Sequence, residues 1–591
     1  MIYGSLHAQV ISNNGASISI STYVSNASDI NNTIGTISNN GTLSLTGNYS
    51  NNSITSGDGL YYISGNFTNN GTFSAGYSNV EMNGTTAKNI NGSSITTFNN
   101  LNINKGTGSI TVNSNVNIIG FLKANSGTLL SANNLILIST PSQTALIDGS
   151  GLGSITGNVI IQRYLATSGY KYLSSPFSNT LASSLLSYLS TTATINKIYS
   201  YDENKVSAGW TSYALSSTLL PMSGYAVNLG NITNVKNISI SGSVNNGNIS
   251  TSLFNNNQEY TLGMNLVGNP YPSPIDWNSI SGWTKTNIDN AIYFFDASGA
   301  SDEYSGTYYQ YVNGIGTGGS TNIIPAMQGF FVHVSNGSYP VSGLLGMTNN
   351  IRTTNLNPTF KSASIDNRTI LQFTLGFEGA KSSDTFILYF DQSSTLQFDS
   401  HLDALKIINT DVMIPNIYQV GADRQKLSIS AVPLQDQIKI NLGVKTSKNG
   451  WLNFNAKDIS LLPSNLYIYL IDNERNITQN LKENPLYLFY LSGENTNRFH
   501  LVFSNSILDT NNTTEKIVNL SHLSNLNLVV VNLPSGESGN LQISDILGRV
   551  FFTKIVYGNE TVSINLNRGI YIVSLQSGNN RQVEKIIIHY W

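Results

Sequence analysis

Asn39-Asn40-Gly41-Thr42-Leu43-Ser44-Leu45 returns as Asn69-Asn70-Gly71-Thr72-Phe73-Ser74-Ala75, a shift of 69 − 39 = 30. Gly47-Asn48-Tyr49-Ser50-Asn51-Asn52 returns as Gly65-Asn66-Phe67-Thr68-Asn69-Asn70, a shift of 65 − 47 = 18. The unit in both cases is a short alternating strand followed by an Asn/Gly turn. Asn tolerates left-handed backbone geometry, and its amide can ladder between stacked copies. Residues 10–160, which also carry Phe98-Asn99-Asn100-Leu101-Asn102-Ile103 and Val116-Asn117-Ile118-Ile119, are therefore expected to form a parallel β-solenoid. The competing fold for the same pattern is an antiparallel sandwich with Asn-Gly hairpins.

The rest of the chain fits an all-β protein. Gly, Asn and Asp interrupt nearly every stretch before a helical period develops, and Leu181–Leu189 is the clearest helix candidate. The 591 residues exceed what one core supports, and 40% hydrophobic content supplies several cores, roughly three to five domains. Charged residues are only 10% and the net charge is −3, which leaves no long-range field for nucleic acid. The chain has no cysteine, which removes thiolate metal sites and cysteine nucleophiles and fits export with folding after translocation. No apolar run reaches the length of a transmembrane helix. Leu6-His7-Ala8 before Gln9 is similar to a signal-peptidase site, so residues 1–9 are read as a signal-peptide remnant.

Residues 161–350 are richer in aromatics and resemble a module of large secreted Bacteroidetes proteins. The resemblance rests on Tyr170-Lys171-Tyr172-Leu173-Ser174-Ser175-Pro176, on Ile198–Asp202 followed by Gly209-Trp210, on Asn265–Trp277 with its NPYPSPIDW run, and on Ile324–Val332. The prolines make Asn269–Pro274 extended or turn structure. Residues 351–510 read as a β-sandwich, with strands at Leu371–Leu375, Thr385–Phe390, Tyr467–Asp472, Tyr487–Leu491 and Arg498–Phe503. Residues 511–516 are a plausible linker.

Residues 517–591 hold Leu541–Val550 with Asp545, Gly548 and Arg549 in a D-x-x-G-R turn. Gly569 and Tyr571 follow in a G-x-Y strand, and Lys585 opens the apolar run that ends the chain. Together these resemble the type A sorting domain of type IX secretion cargo, a small immunoglobulin-like sandwich. The family's Pro-Asn-Pro-like opening is absent from Asn527–Pro534. The resemblance implies recognition by the type IX machinery and an extracellular or outer-membrane-surface location.

Candidate chemistry is sparse. The six histidines form no metal-binding spacing, and no nucleophile elbow or phosphate loop occurs, so no catalytic residue and no cofactor is assigned. His333 is expected to be a satisfied core position. Asp296, Asp302 and Glu303 make the one acidic loop with oxygens enough to suggest calcium, against a preferred reading as a solvated loop. Tyr304, Tyr309 and Tyr311 cluster beside it as weak sugar-stacking candidates, with Tyr309 and Tyr311 on one strand face and Tyr308 on the other. The expected function is non-enzymatic: an adhesin or structural subunit of the cell surface, with self-assembly into fibres through an open solenoid end. The alternative is a carbohydrate-binding or polysaccharide-degrading secreted protein with a glycan ligand.

Overall fold

A computed structural model describes residues 10–26, 28–192, 197–358, 368–459, 462–506, 519–523, 528–533, 537–558, 560–578 and 580–588. The signal-peptide remnant at 1–9 and the linker at 511–516 lie outside the described residues. Two compact units result: Met1–Gly376 with Ser382–Ser464 and Ile468–Phe503, and Phe377–Lys381 with Asn465–Tyr467 and Ser504–Trp591.

The N-terminal region is a parallel β-solenoid with three faces. On the first, Ile11, Ile30, Tyr49, Phe67, Ile90 and Val112 stack in register and point inward. On the third, Val24, Leu43, Tyr61, Val80, Leu101, Leu122 and Ile147 do the same. The second face begins with Ile18, Ile37, Thr55 and Phe73 and continues as Phe98, Ile118, Leu137 and Ile161. Every rung-to-rung pairing is parallel, which rules out the hairpin sandwich. Successive turns of the first face are 30 − 11 = 19, 49 − 30 = 19, 67 − 49 = 18 and 90 − 67 = 23 residues long. The sequence shift of 18 is thus one turn of the solenoid. The shift of 30 is not, because Asn39-Asn40-Gly41 enters the third face at Thr42–Leu45 and Asn69-Asn70-Gly71 enters the second at Thr72–Phe73. The same corner chemistry serves two different corners.

At the corner between the first and second faces the asparagines form a buried amide ladder. Asn13 Nδ2 donates to Asn32 Oδ1 at 2.9 Å, Asn32 Nδ2 to Asn51 Oδ1 at 2.8 Å, and Asn51 Nδ2 to Asn69 Oδ1 at 2.9 Å. Asn69 Nδ2 ends the series on Thr96 Oγ1 at 3.2 Å. The same nitrogens also donate to backbone carbonyls one rung on, at Ile54 for Asn32 and Thr72 for Asn51. All four asparagines are at most 1% exposed. Corners are where the strand ladder breaks, and a buried backbone carbonyl left without a donor there is costly. Beside the ladder, Tyr49 stacks on Phe67 at 5.2 Å and Phe67 meets Phe98 at 5.1 Å. Lys105 is also buried, its ammonium donating to the carbonyls of Ser64 and Asn83, and burial holds its pKa below the ordinary lysine value with Lys88 adding to the effect.

The expected boundary at residue 160 falls inside strand Asn158–Leu165. That strand is parallel to Leu135–Leu137 and antiparallel to Lys236–Ser243, so one strand ends the solenoid and starts the central module. The helix expected at Leu181–Leu189 is a 3-10 helix at Ala182–Tyr188, burying Ala182 and Leu185. In the NPYPSPIDW run, Asn269 is fully buried. Its Nδ2 donates to the carbonyls of Ser273, Ile324 and Pro325, and its Oδ1 accepts from Tyr271 N. Three prolines and one saturated amide explain that motif as structure. An antiparallel five-stranded sheet, Met264–Gly268, Gly329–Val334, Ile288–Asp296, Thr307–Val312 and Ile315–Gly316, carries aromatic cores on both faces.

The expected sandwich at 351–510 is a single 11-stranded sheet that folds back on itself. Phe489, in the strand at one end of the sheet, meets Phe499 of Glu494–Ser504 at 4.5 Å. Arg498 grips buried Asp472 with two bonds, Nε at 2.9 Å and Nη2 at 2.7 Å, and lies over the rings of both phenylalanines. Asp403 is buried at the edge, accepting from Ala431 N and Asp399 N. Burial pushes its carboxyl up to about 7 despite those bonds, with the charges of Asp399 and Asp423 adding.

Three outcomes follow from these contacts. Asn51→Leu keeps the volume but strands the ladder partners on either side, and is expected to cost about 2–4 kcal/mol in a denaturant titration. Asn52→Ala, which removes an exposed ladder bond to Asn70, is expected to change stability by less than about 0.5 kcal/mol. Asp403 has a folded pKa above its unfolded value, so its contribution is full below about pH 4 and is lost as pH rises through about 7. Melting temperatures measured from about pH 5 to 8 should therefore fall less steeply for Asp403→Asn than for the unaltered chain.

Candidate functional site

The C-terminal unit is a small two-sheet sandwich. Asn519–Leu523, Leu528–Asn532 and Glu560–Ser563 form one sheet; Val550–Tyr557, Ser538–Asp545, Gly569–Ser577 and Asn580–Ile588 form the other. Val529, Val531, Leu541, Ile543, Val573 and Leu575 fill the space between them.

The D-x-x-G-R motif is a turn closed by its own carboxylate. Asp545 Oδ1 accepts from Leu547 N and Arg549 N, each at 2.9 Å, and Oδ2 accepts from Arg549 Nε at 2.7 Å. Desolvation pulls the carboxyl upward, but the Arg549 guanidinium and the two amides outweigh it and hold Asp545 below the usual carboxylate range. Gly548 has φ +83°, the left-handed conformation that the turn requires. The turn presents Ile546 and Leu547 to solvent at 68% and 77% exposure.

The three motifs, distant in sequence, meet at one end of the second sheet. Asp545 pairs with Tyr571 and Tyr571 with Ile586; Ser544 pairs with Ile572 and Ile572 with Lys585. The Tyr571 ring lies over Gly569, where a Cβ would sit 3.2 Å from its Cε2, and its hydroxyl donates to Asn567 O at 2.9 Å. Lys585 is exposed on the outer face, which also carries Val550, Ile570, Val583 and Ile587, all more than 40% exposed. The outer face thus presents ordered apolar side chains around one ammonium, beside a rigid turn with two apolar side chains at its tip. The alternation of Ile570, Ile572, Val583 and Ile587 was in the sequence, but it became a surface only once the strands were paired.

A family described as a domain of unknown function (DUF8693) matches residues 63–503. The chain belongs to the DUF8693 family. In this DUF8693 chain, residues 525–589 match the secretion system C-terminal sorting domain. The chain is therefore type IX secretion cargo, handled by that machinery and delivered to the cell surface or the extracellular space. No match to a curated protein was found. Among the described residues no helix is long and apolar enough to cross a membrane.

The acidic loop does not bring its carboxylates together. Asp296 accepts from Ser298 N and Oγ, with Lys171 Nζ 3.7 Å away. Asp302 accepts from Tyr304 N and Ser305 N, and Glu303 from the hydroxyls of Ser190 and Thr192. Each carboxylate is used by a different piece of backbone or side chain, and no trio of His, Asp or Glu suited to a metal occurs among the described residues. The tyrosines divide as well. Tyr308 is buried in one core and Tyr311 in another, where its hydroxyl accepts from Asn278 Nδ2 at 2.5 Å. Tyr309 is half-buried over Gly318, and Tyr304 alone is exposed. His333 is buried against Asp289 in the central sheet.

The turn generates a test of the address. Gly548→Val forces a β-branched residue into a left-handed conformation, and Asp545→Ala removes the turn's acceptors. Both variants are expected to lower the exported fraction, read by immunoblot of surface and medium against cell lysate. Ser563→Ala, exposed and outside the motif, should leave that fraction unchanged.

Proposed function

We propose that this chain is a non-catalytic structural or adhesive component of the cell exterior that self-associates through the first turn of its solenoid. One observation carries this. Ile11, Ile18 and Val24 of the first turn are only half-buried, whereas Ile30, Ile37 and Leu43, stacked directly on them, are at most 1% exposed. Among the described residues the other edges of residues 11–20 and 23–26 pair with no strand. Among the described residues those edges offer amides, carbonyls and half-covered Ile and Val side chains, a combination that favours addition of another strand layer. At the far end Lys236–Ser243 runs antiparallel against Asn158–Leu165, covering the last strand of the second face. Assembly by this route is accordingly through the first turn of two copies, giving pairs, with longer polymers needing a second contact.

Support for a non-catalytic role comes from what the polar side chains do. The buried asparagines, the Arg498–Asp472 pair and the buried histidine all bond to the protein's own groups. Low charge and an Asn-, Ser- and Thr-rich exterior suit a persistent extracellular scaffold.

Sedimentation velocity with negative-stain images tests this. The intact chain is expected to form concentration-dependent end-to-end pairs, and the double variant Ile18→Lys, Val24→Lys is expected to stay monomeric while keeping its strand content by circular dichroism. Monodisperse monomers of the unaltered chain at all concentrations would remove the self-association.

A further inference from the structure

Where the last solenoid turns meet the central module, an open cleft of about 110 Å³ lies between the glycine-rich segment at 148–154 and Arg352. Its walls include Ile155, Val244 and Pro272 as well as Asp148 and Asn246. The volume is that of on the order of three or four waters, enough for a carboxylate and the edge of a ring.

Arg352 is held by neutral groups. Nε donates to Ser273 Oγ at 2.8 Å, Nη1 to Asn246 Oδ1 at 3.0 Å and Asn349 Oδ1 at 3.2 Å, and Nη2 to the Ile147 carbonyl. The guanidinium lies 5.1 Å over the Tyr271 ring. A guanidinium has five N–H groups; these four bonds leave one on Nη2 without an acceptor among the described residues. Asp148 shares the cleft but is ion-paired to Lys123 at 3.5 Å, and Ser150 N donates to it as well. The positive charge on Arg352 therefore has no carboxylate in ion-pair contact. Burial shows the cost, pulling the Arg352 pKa down to about 10 although Tyr271 and Asp148 act the other way. A half-buried cation with neutral partners that lines an open cleft favours an incoming anion.

The glycines let the loop pack closely beside the cleft. A Cβ on Gly149 would sit 2.5 Å from Arg352 Cδ, and one on Gly151 would sit 1.9 Å from the Ala124 carbonyl. No side chain fits between the loop and the arginine.

We propose that this cleft binds the carboxylate of an acidic sugar residue, with Arg352 as its counter-ion. A monoanion suits one spare N–H and the resident Asp148 better than a phosphate dianion does. The apolar wall of Ile155, Val244 and Pro272 fits the C–H face of a pyranose, and Asn246 fits its hydroxyls. The site is independent of the first solenoid turn, so the fate of the self-association does not decide it.

Calorimetric titration of the full chain at low salt with glucuronate, galacturonate and their oligomers tests the site, with glucose, acetate and inorganic phosphate as the other arms. Saturable uronate binding is expected, at least about tenfold tighter than glucose and tighter than acetate. Ser154→Tyr, which places a ring at the exposed rim without touching Arg352, is expected to abolish it, and Arg352→Gln to weaken it by a similar factor. Absence of saturable uronate binding, glucose binding equally well, phosphate or acetate binding as tightly as uronate, or unchanged binding in Ser154→Tyr would each overturn the proposal.

Discussion

The solenoid depends on hydrogen bonding at its corners. Parallel strands pair their own backbones, but each corner leaves carbonyls with no strand partner inside a dry stack. One asparagine per turn answers this, since its amide bonds the next amide in the column and a carbonyl beyond it at once. A serine or threonine has one donor and cannot do both. The column ends at Thr96, where the turns lengthen and Phe98 takes over the interior.

The same device recurs wherever the backbone leaves regular pairing. Asn269 saturates the proline-rich run of the central module with three donated bonds and one accepted, much as Asn51 saturates a solenoid corner. Arg352 ties that module to the solenoid by donating to Ile147, a residue of the third face. With few charges available, the large unit joins its parts through neutral carbonyls and amides, and keeps its buried ion pairs, such as Arg498–Asp472 and Lys406–Asp384, inside the folded sheet. Arg352, like Lys105 in the solenoid, is a charge placed among neutral groups, and it lines the cleft at the junction.

The C-terminal unit was the most legible part of the sequence, because its motifs are local. Asp545, Gly548 and Arg549 make their turn contacts within five residues, and Asn567, Gly569 and Tyr571 do so within five as well. The NPYPSPIDW run was equally visible, and there the structure assigns a structural role. The acidic loop was less legible. Asp296, Asp302 and Glu303 are close in sequence, but each finds a separate partner, and Glu303 reaches back to Ser190 and Thr192. Proximity along a loop does not determine where carboxylates point.

By itself the sequence determined that the chain is all-β, that its N-terminal region stacks short strands, and that its end carries a sorting domain, because each of these rests on residues within one strand and its turn. The tertiary structure alone decided that 18 and not 30 residues make a turn, that the expected sandwich is one sheet folded over, and that residue 160 lies within a strand shared by two regions. It also brought Arg352 to the carbonyl of Ile147, some two hundred residues earlier in the chain, at the wall of one cleft. The physical reason is that turn chemistry is encoded locally, whereas which corner stacks on which, and which charge is left without a counter-charge, depend on packing between segments that no local pattern specifies.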